Sequence, residues 1–370
     1  MVENKKEIKV YLQYPWSFPD SSYYNSMLEY PPKNISYINA NKKKFSGINS
    51  STKFKLMLRF KKTIRNCLKI VKVPNITRTR KGNYDLIHCA HCLSLNKKPW
   101  VVDIEHYWNF SSSSDVSYSS SGKNIIKKLL KKDQCKSIMP WTESARKTMF
   151  DALKDKTIEN KTKIVTYAFP SPKIKKMKHD GIHLFFSGRY FLGKGGSQAL
   201  KVIDYLTKKY DNVTGTFLSQ TPKEFLKKYK ENKKIEFHGL MPLNKIMTEI
   251  YPKSDIFIYP GFSDSFGFVL VEALAFGLPV ITVNGFARRD IIEDKKDGFV
   301  ISRPKNLDYT ALNNDQGITQ NMIKKTSNLI ENASLRNKMS KYAIKMTTEG
   351  KFSLKVRHEK LKQIYEEAIK

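Results

Sequence analysis

Short apolar runs recur along the chain, separated by polar or helix-periodic stretches. In the first half, Ile8–Tyr14, Asp85–Cys89, Trp100–Glu105, Ile138–Trp141 and Lys163–Phe169 predict strands. Thr142 stands where a helix cap belongs, and a helical pattern continues to Leu153. The second half repeats the rhythm. Ile182–Ser187, Thr214–Ser219, Lys234–His238, Asp255–Tyr259, Pro279–Val283 and Gly298–Ile301 predict strands, with helical patterns between them. Leu354–Lys370 predicts a helix of mixed charge. Strands alternating with helices imply parallel sheets covered on both faces, an α/β fold. Pro170-Ser171-Pro172 and the lysines up to Lys178 predict a linker. Two domains follow, residues 1–172 and 173–352, with residues 353–370 as a terminal helix.

Composition narrows this picture. Hydrophobic residues make up 40% and aromatics 12% of the 370 residues, which excludes a disordered chain. Basic residues number 67 against 34 acidic ones, a net charge of +33. Such a field favours polyanions, anionic lipid or phosphorylated small molecules, and lysine-rich usage alone is the plainer reading. Two stretches concentrate the charge. Lys53–Lys72 carries basic residues and no acid, and Lys123–Lys136 is a basic amphipathic stretch with Ile125, Ile126, Leu129 and Leu130. Either could lie on an anionic membrane or be an ordinary solvated helix. Ser111–Gly122 is nearly all serine and predicts a loop. The start of the chain does not read as a signal peptide. Phe266–Val283 is apolar, but Glu272 and Gly277-Leu278-Pro279 break it into a buried helix and a strand rather than a membrane span. Cys67, Cys89, Cys92 and Cys135 read as free thiols in a reducing compartment. Cys89 and Cys92 lack a second ligand pair for zinc, so small residues at a strand end are the simpler reading.

The residues with chemical potential cluster after two strands. Asp264 lies in a small-residue loop after the strand that ends at Tyr259, and Glu272 follows eight residues later within an apolar helix expected to start near Phe266. A helix start at a strand's carboxyl end exposes N–H groups and a positive dipole, suited to a phosphate or a sugar hydroxyl. A carboxylate inside such a helix is costly unless it accepts hydrogen bonds, and a ribose diol supplies two donors. An Asp that caps the helix and a Glu paired with a basic residue is the structural alternative. Upstream, Gly188-Arg189 ends a strand and Lys194-Gly195-Gly196 opens a helix, an arrangement of cations that could clamp a diphosphate.

The stretch Pro260–Pro279 resembles the Glu-x7-Glu signature of the group 1 family (family 4) of retaining glycosyltransferases with the GT-B fold. Gly188-Arg189 with Lys194-Gly195 is similar to that family's Gly-Arg-x(4,5)-Lys-Gly segment, and Asp85–His91 and Trp100–His106 are similar to its first-domain strands. The resemblance implies two Rossmann-like, doubly wound parallel-sheet domains facing across a cleft. Residues 1–172 would form the acceptor side, residues 173–352 would bind the nucleotide-sugar, and residues 353–370 would cross back to the first domain. It further implies catalytic roles for His106, Arg189, Lys194 and Asp264, and donor binding by Gly188, Ser265, Phe266, Gly267, Phe268 and Glu272, with Glu272 on the ribose. Glu143 and Ser144 match a strand-end position that faces the cleft, or else they begin a capped helix. Two departures stand out. Asp264 replaces the usual Glu, and Tyr14–Ser22 lacks the family's glycine pair, leaving Ser21 and Ser22 in its place.

The implied activity is retaining transfer of a sugar from a nucleotide-sugar donor to a glycan or lipid-linked acceptor in cell-surface polysaccharide or glycoconjugate biosynthesis. No Asp-x-Asp motif stands near these residues, so no metal and no cofactor are expected. The expected setting is cytoplasmic, with peripheral contact on an anionic inner membrane face and no nucleic acid as partner. The alternatives are a nucleic-acid or polyanion-binding protein, a sugar-nucleotide epimerase or phosphorylase on the same fold, and a non-catalytic scaffold.

Overall fold

The computed structural model describes residues 7–15, 21–39, 73–174, 176–305 and 307–370. Its contacts divide the chain into two units: residues 1–168 with 354–370, and residues 169–353.

In the first unit β1 (Ile8–Gln13), β2 (Ile35–Tyr37), β4 (Leu86–Ala90), β6 (Trp100–Ile104) and β7 (Cys135–Pro140) form a parallel sheet in the order β2-β1-β4-β6-β7. The short strands β3 (Ile76–Thr77) and β5 (Leu93–Ser94) pair separately. β4 is buried along its whole length, as a central strand covered on both faces must be. The helices are α1 (Ser22–Glu29), α2 (Ser114–Tyr118), α3 (Ser120–Leu130), α4 (Glu143–Leu153) and α5 (Lys156–Asn160). Thr142 caps α4 by accepting from the Ala145 N–H at 3.1 Å.

The sequence reading needs three corrections here. The serine-rich segment is helical: Ser119 caps α3 by accepting from Gly122 N–H, and the Ser117 hydroxyl bonds the Trp108 carbonyl. Serines that bond locally to the backbone also serve as caps, so composition alone misled. Lys163–Phe169 forms no strand. Thr162 makes one bridge to Ile138, and the Lys163 and Val165 N–H groups donate to the Ile138 and Pro140 carbonyls without completing a strand. α3 ends at Leu130 rather than continuing to Lys136, and Ile126, Leu129 and Leu130 are buried in the unit's core with Ile125 packed against them. Its apolar face is therefore occupied by its own sheet and is not offered to a membrane. The other basic stretch, Lys53–Lys72, lies outside the described residues, as does Cys67. Cys89, Cys92 and Cys135 are free buried thiols.

In the second unit β8 (Ile182–Gly188), β9 (Val213–Ser219), β10 (Ile235–His238), β11 (Ile256–Tyr259), β12 (Val280–Val283) and β13 (Gly298–Ile301) form a parallel sheet in the order β10-β9-β8-β11-β12-β13. Around it lie α6 (Gly196–Lys209), α7 (Lys223–Tyr229), α8 (Phe268–Ala275), α9 (Arg288–Ile291), α10 (Gln316–Glu331) and α11 (Ala333–Thr348). β8 and β11 are neighbours, so the loops at their carboxyl ends share one edge of the sheet, the usual ligand position in such folds.

The final helix, α12 (Leu354–Ala368), groups with the first unit. Its Arg357 is buried and donates to the Ser26 hydroxyl at 2.8 Å and to the Tyr30 carbonyl at 3.0 Å. Its Tyr365 hydroxyl sits 2.5 Å from His88 Nδ1 and 3.1 Å from the Tyr37 hydroxyl. His88 Nε2 is 3.1 Å from Asp103, which also accepts from Tyr24 at 2.5 Å. This buried polar chain fastens α12 to the sheet. It also gives His88 a structural role.

Candidate functional site

The site of the second unit is built by two loops that bond to each other. After β8 the chain turns through Arg189–Gly195; after β11 it turns through Pro260–Gly267. Gly261 N–H donates to the Lys194 carbonyl at 3.1 Å, and Ser263 N–H donates to the Gly193 carbonyl at 2.9 Å. Gly188 is the buried last residue of β8. These contacts bring Lys194 and Asp264 together, with Lys194 Nζ 2.8 Å from Asp264 Oδ1.

Asp264 does not cap α8. Its other oxygen accepts from the Tyr259 hydroxyl at 2.6 Å and lies 3.9 Å from the Arg288 guanidinium. Burial would push this carboxyl up, but Arg288 and Lys194 outweigh it and hold it below the usual carboxylate range. Burial and the Asp264 charge push the Tyr259 hydroxyl well above its ordinary value, so it stays a proton donor.

α8 begins at Phe268, two residues later than the pattern suggested. Gly267 stands at φ +91°, which is not helical, and a Cβ there would meet Arg288 and Asp264 at 3.1 Å. Gly261, at φ +64°, could carry no Cβ without striking Arg288 Nη2 at 2.5 Å. Phe266 and Gly267 are buried, whereas Ser265 and Phe268 are half-buried.

Glu272 occupies a different environment. It is 4% exposed, and its Oε2 accepts from the Tyr251 hydroxyl at 3.1 Å. Burial pushes its carboxyl up to about 7, against the opposing pull of the Tyr251 hydrogen bond. It has no basic partner among the described residues, so the structural alternative of a Glu–cation pair does not hold. Arg189 is exposed at the end of β8 and makes no hydrogen bond or ion pair among the described residues. It is not drawn into the Lys194–Asp264 pair.

His106 lies in the first unit, after β6. It caps a 3-10 turn, with Nδ1 accepting from Trp108 N–H at 3.5 Å and the two rings stacked at 3.5 Å. Burial lowers its pKa to about 4, so the imidazole is neutral at pH 7. Glu143 pairs with Arg146 on the exposed first turn of α4, as a capped helix start would predict.

Sequence reasoning missed Arg288, Tyr259 and Tyr251. A signal for Arg288 existed. Asp264 in a largely apolar segment needs a cation, and Arg288 follows β12, the strand beside β11. Among the described residues no three His, Cys, Asp or Glu side chains are grouped to hold a metal ion, and no helix is long and apolar enough to cross a membrane.

The chain has counterparts among known proteins. Residues 170–346 match the model of the family described as glycosyl transferases group 1. The match covers the whole Lys194–Asp264–Glu272 region. An uncharacterized glycosyltransferase of Haemophilus influenzae is 28% identical over 233 residues, 60% of this chain and 61% of that protein. The capsular polysaccharide biosynthesis glycosyltransferase CapM of Staphylococcus aureus is 28% identical over 197 residues, 52% of this chain and 44% of that protein. The chain thus spans less than two thirds of the length of each. A glycosyltransferase from Rickettsia africae superposes with a TM-score of 0.60 at 16% identity, covering 99% of both chains. Anabaena HepE, solved with UDP and glucose, gives 0.59 at 12% identity, covering 96% of this chain and 98% of that one. The fold is GT-B, with two Rossmann-like domains, as the motifs implied.

Proposed function

We propose that the chain is a glycosyltransferase of the retaining, metal-independent kind, moving a hexose from a nucleotide-sugar donor to a glycan or lipid-linked acceptor. The observation that carries this reading is the Lys194–Asp264 pair at the carboxyl ends of β8 and β11, beside the amino end of α8 and inside the group 1 match. A cation and a helix start at this edge suit a diphosphate.

In this reading Lys194 and Arg189 stabilise the leaving diphosphate, taking the place of a metal. Gly188, Ser265, Phe266, Gly267 and Phe268 face the sugar and phosphates, and Glu272 accepts from the ribose hydroxyls. The bond from the anomeric carbon to the phosphate oxygen breaks, and its electron pair stays on the phosphate. The acceptor hydroxyl attacks from the same face and passes its proton to that phosphate oxygen. Asp264 accepts from a donor-sugar hydroxyl. By the family resemblance His106 faces the donor sugar, and the Nδ1 contact with Trp108 N–H leaves the ring hydrogen on Nε2. The part of CapM in capsular polysaccharide biosynthesis and the complex of HepE with UDP and glucose support a cell-surface glycan product and a UDP-sugar donor. The +33 charge supports peripheral contact with an anionic inner membrane face in the cytoplasm.

The test is a thermal-shift screen against UDP, GDP, ADP and their sugar conjugates, with and without Mg²⁺, followed by NMR of the product's anomeric proton. A ligand that binds only the folded state raises the melting temperature. One nucleotide shifting it without metal, and a product that keeps the donor's anomeric configuration, is the expected result. An inverted product or strict Mg²⁺ dependence overturns the mechanism. No shift with any nucleotide, alongside tight binding to duplex DNA, overturns the enzyme reading in favour of polyanion binding.

A further inference from the structure

Arg288 is the most completely enclosed cation beside the site, with no solvent exposure. Its guanidinium donates to three carbonyls of one loop: Gly261 at 2.7 Å, Asp264 at 2.9 Å and Phe266 at 2.8 Å. It also stacks over the Tyr259 ring at 5.6 Å, and Tyr259 in turn bonds the Asp264 carboxylate. Three of the loop's carbonyls thus converge on one cation, while those of Phe262 and Ser265 are taken by Arg303 and the Ala287 N–H. The two glycines at positive φ, Gly261 and Gly267, are the positions where the backbone closes directly around that cation. Only a planar fork can bridge three acceptors this way; a lysine carries the charge but not the geometry.

We propose that Arg288 is a positioning residue of the donor site. It holds the loop 261–267 in the one shape that aims the Asp264 carboxylate and the N–H groups at the start of α8 toward the donor sugar. This rests on the transferase reading above and deepens it. Arg288 contacts no substrate. It acts through Asp264 and the loop backbone. The same guanidinium also keeps Asp264 ionised when no donor is bound, so that the carboxylate is ready to accept from a sugar hydroxyl.

The test compares Arg288→Lys and Arg288→Gln with Arg289→Lys, an exposed neighbour. UDP affinity, UDP-glucose turnover and amide hydrogen exchange over residues 261–268 are measured on the full chain. UDP is held in this reading mainly by Arg189, Lys194 and Glu272 and only in part by the loop, so its Kd is expected to rise by less than about tenfold, while misaligned reacting groups lower kcat by about 100-fold. Amides 261–268 exchange faster in both Arg288 variants, and Arg289→Lys matches the wild type. A merely structural role would lower UDP binding and turnover together. Three outcomes overturn the proposal: unchanged kcat in Arg288→Lys, equal losses in affinity and turnover, or failure of both variants to fold. If the wild type itself transfers no sugar, the transferase reading fails, and unchanged exchange over 261–268 in both Arg288 variants would still overturn the loop-holding role independently.

Discussion

Asp264 and Glu272 are eight residues apart, and the same sheet edge presents them to opposite environments. Asp264 sits half-buried in a loop among cations, with Lys194 at 2.8 Å and Arg288 at 3.9 Å, and stays below the usual carboxylate range. Glu272 sits one helical stretch further, with Tyr251 as its hydrogen-bond partner, and burial pushes it up to about 7. The neighbours, not the spacing, decide which of the two acids is charged. Under the transferase reading the division is useful. A carboxylate already ionised suits a sugar hydroxyl, while one poised near neutrality becomes fully charged when ribose hydroxyls and solvent changes favour it.

The sharpest way to break this comparison is to remove the cation on the Asp264 side. Lys194→Ala takes away both the partner of Asp264 and the proposed stabiliser of the leaving diphosphate. Turnover of the donor is expected to fall by about 10² to 10³, the scale of losing one charge-stabilising group. Lys194 is partly exposed, so circular dichroism and the unfolding transition should change little. A variant that keeps full turnover would remove Lys194 from the site.

Glu272→Gln tests the other half. With an ordinary value of 4.5 and a folded value of about 7, the folded chain retains a proton that the unfolded chain releases between those pH values. More protons bound in the folded state means stability falls as pH rises through this window and stays low above it. Gln mimics the protonated acid. The variant is therefore expected to match the wild type near pH 4.5 and to exceed its stability at pH 8 by on the order of 3 kcal/mol, while binding the nucleotide less well. Asp297, also pushed up to about 7 by burial, contributes a slope of the same sign in both proteins and cancels in the difference. Urea unfolding of both chains across pH 4.5 to 8 checks this; parallel curves would mean Glu272 is not the protonated group.

How much of this was legible in the sequence follows from the same physics. The strands of the second unit read clearly because buried parallel strands are continuous apolar runs, as β8, β11 and β12 are. That Lys194 and Asp264 belong to one donor site was implied by a family resemblance and by helix-start chemistry, both local features; their ion pair was not read from the sequence. Arg288 was not, because its partners lie 22 to 27 residues away and meet it only across the sheet edge. β2, β3 and β5 are two or three residues long, too short for a period to register. The serine-rich segment misled because the same hydroxyl that marks a loop also caps α3. His88 carried a motif reading, yet its surroundings, Asp103 and Tyr365, make it part of a fastening that only the fold reveals.

Asp103 extends the comparison to the first unit. It is a fully buried carboxylate with neither lysine nor arginine against it among the described residues; Tyr24 and His88 face its two oxygens. The chain continues through Tyr365 to Tyr37, so a hydroxyl on α12 completes the solvation of groups in the sheet. Tyr365→Phe removes that hydroxyl and leaves His88 Nδ1 and the Tyr37 hydroxyl buried without it, at a cost of about 2 kcal/mol. Trp100, Trp108 and Trp141 all lie in the first unit and no tryptophan lies in residues 169–353, so tryptophan fluorescence does not report on the second unit. The urea midpoint of this fluorescence is expected to fall in the variant, while UDP binding, assigned to the second unit, stays at the wild-type value. A midpoint that does not move would mean α12 is held by Arg357 and apolar packing rather than by the polar chain. A loss of UDP affinity would tie the buried tyrosines to the donor site and erase the distinction between a carboxylate kept for structure and one kept for chemistry.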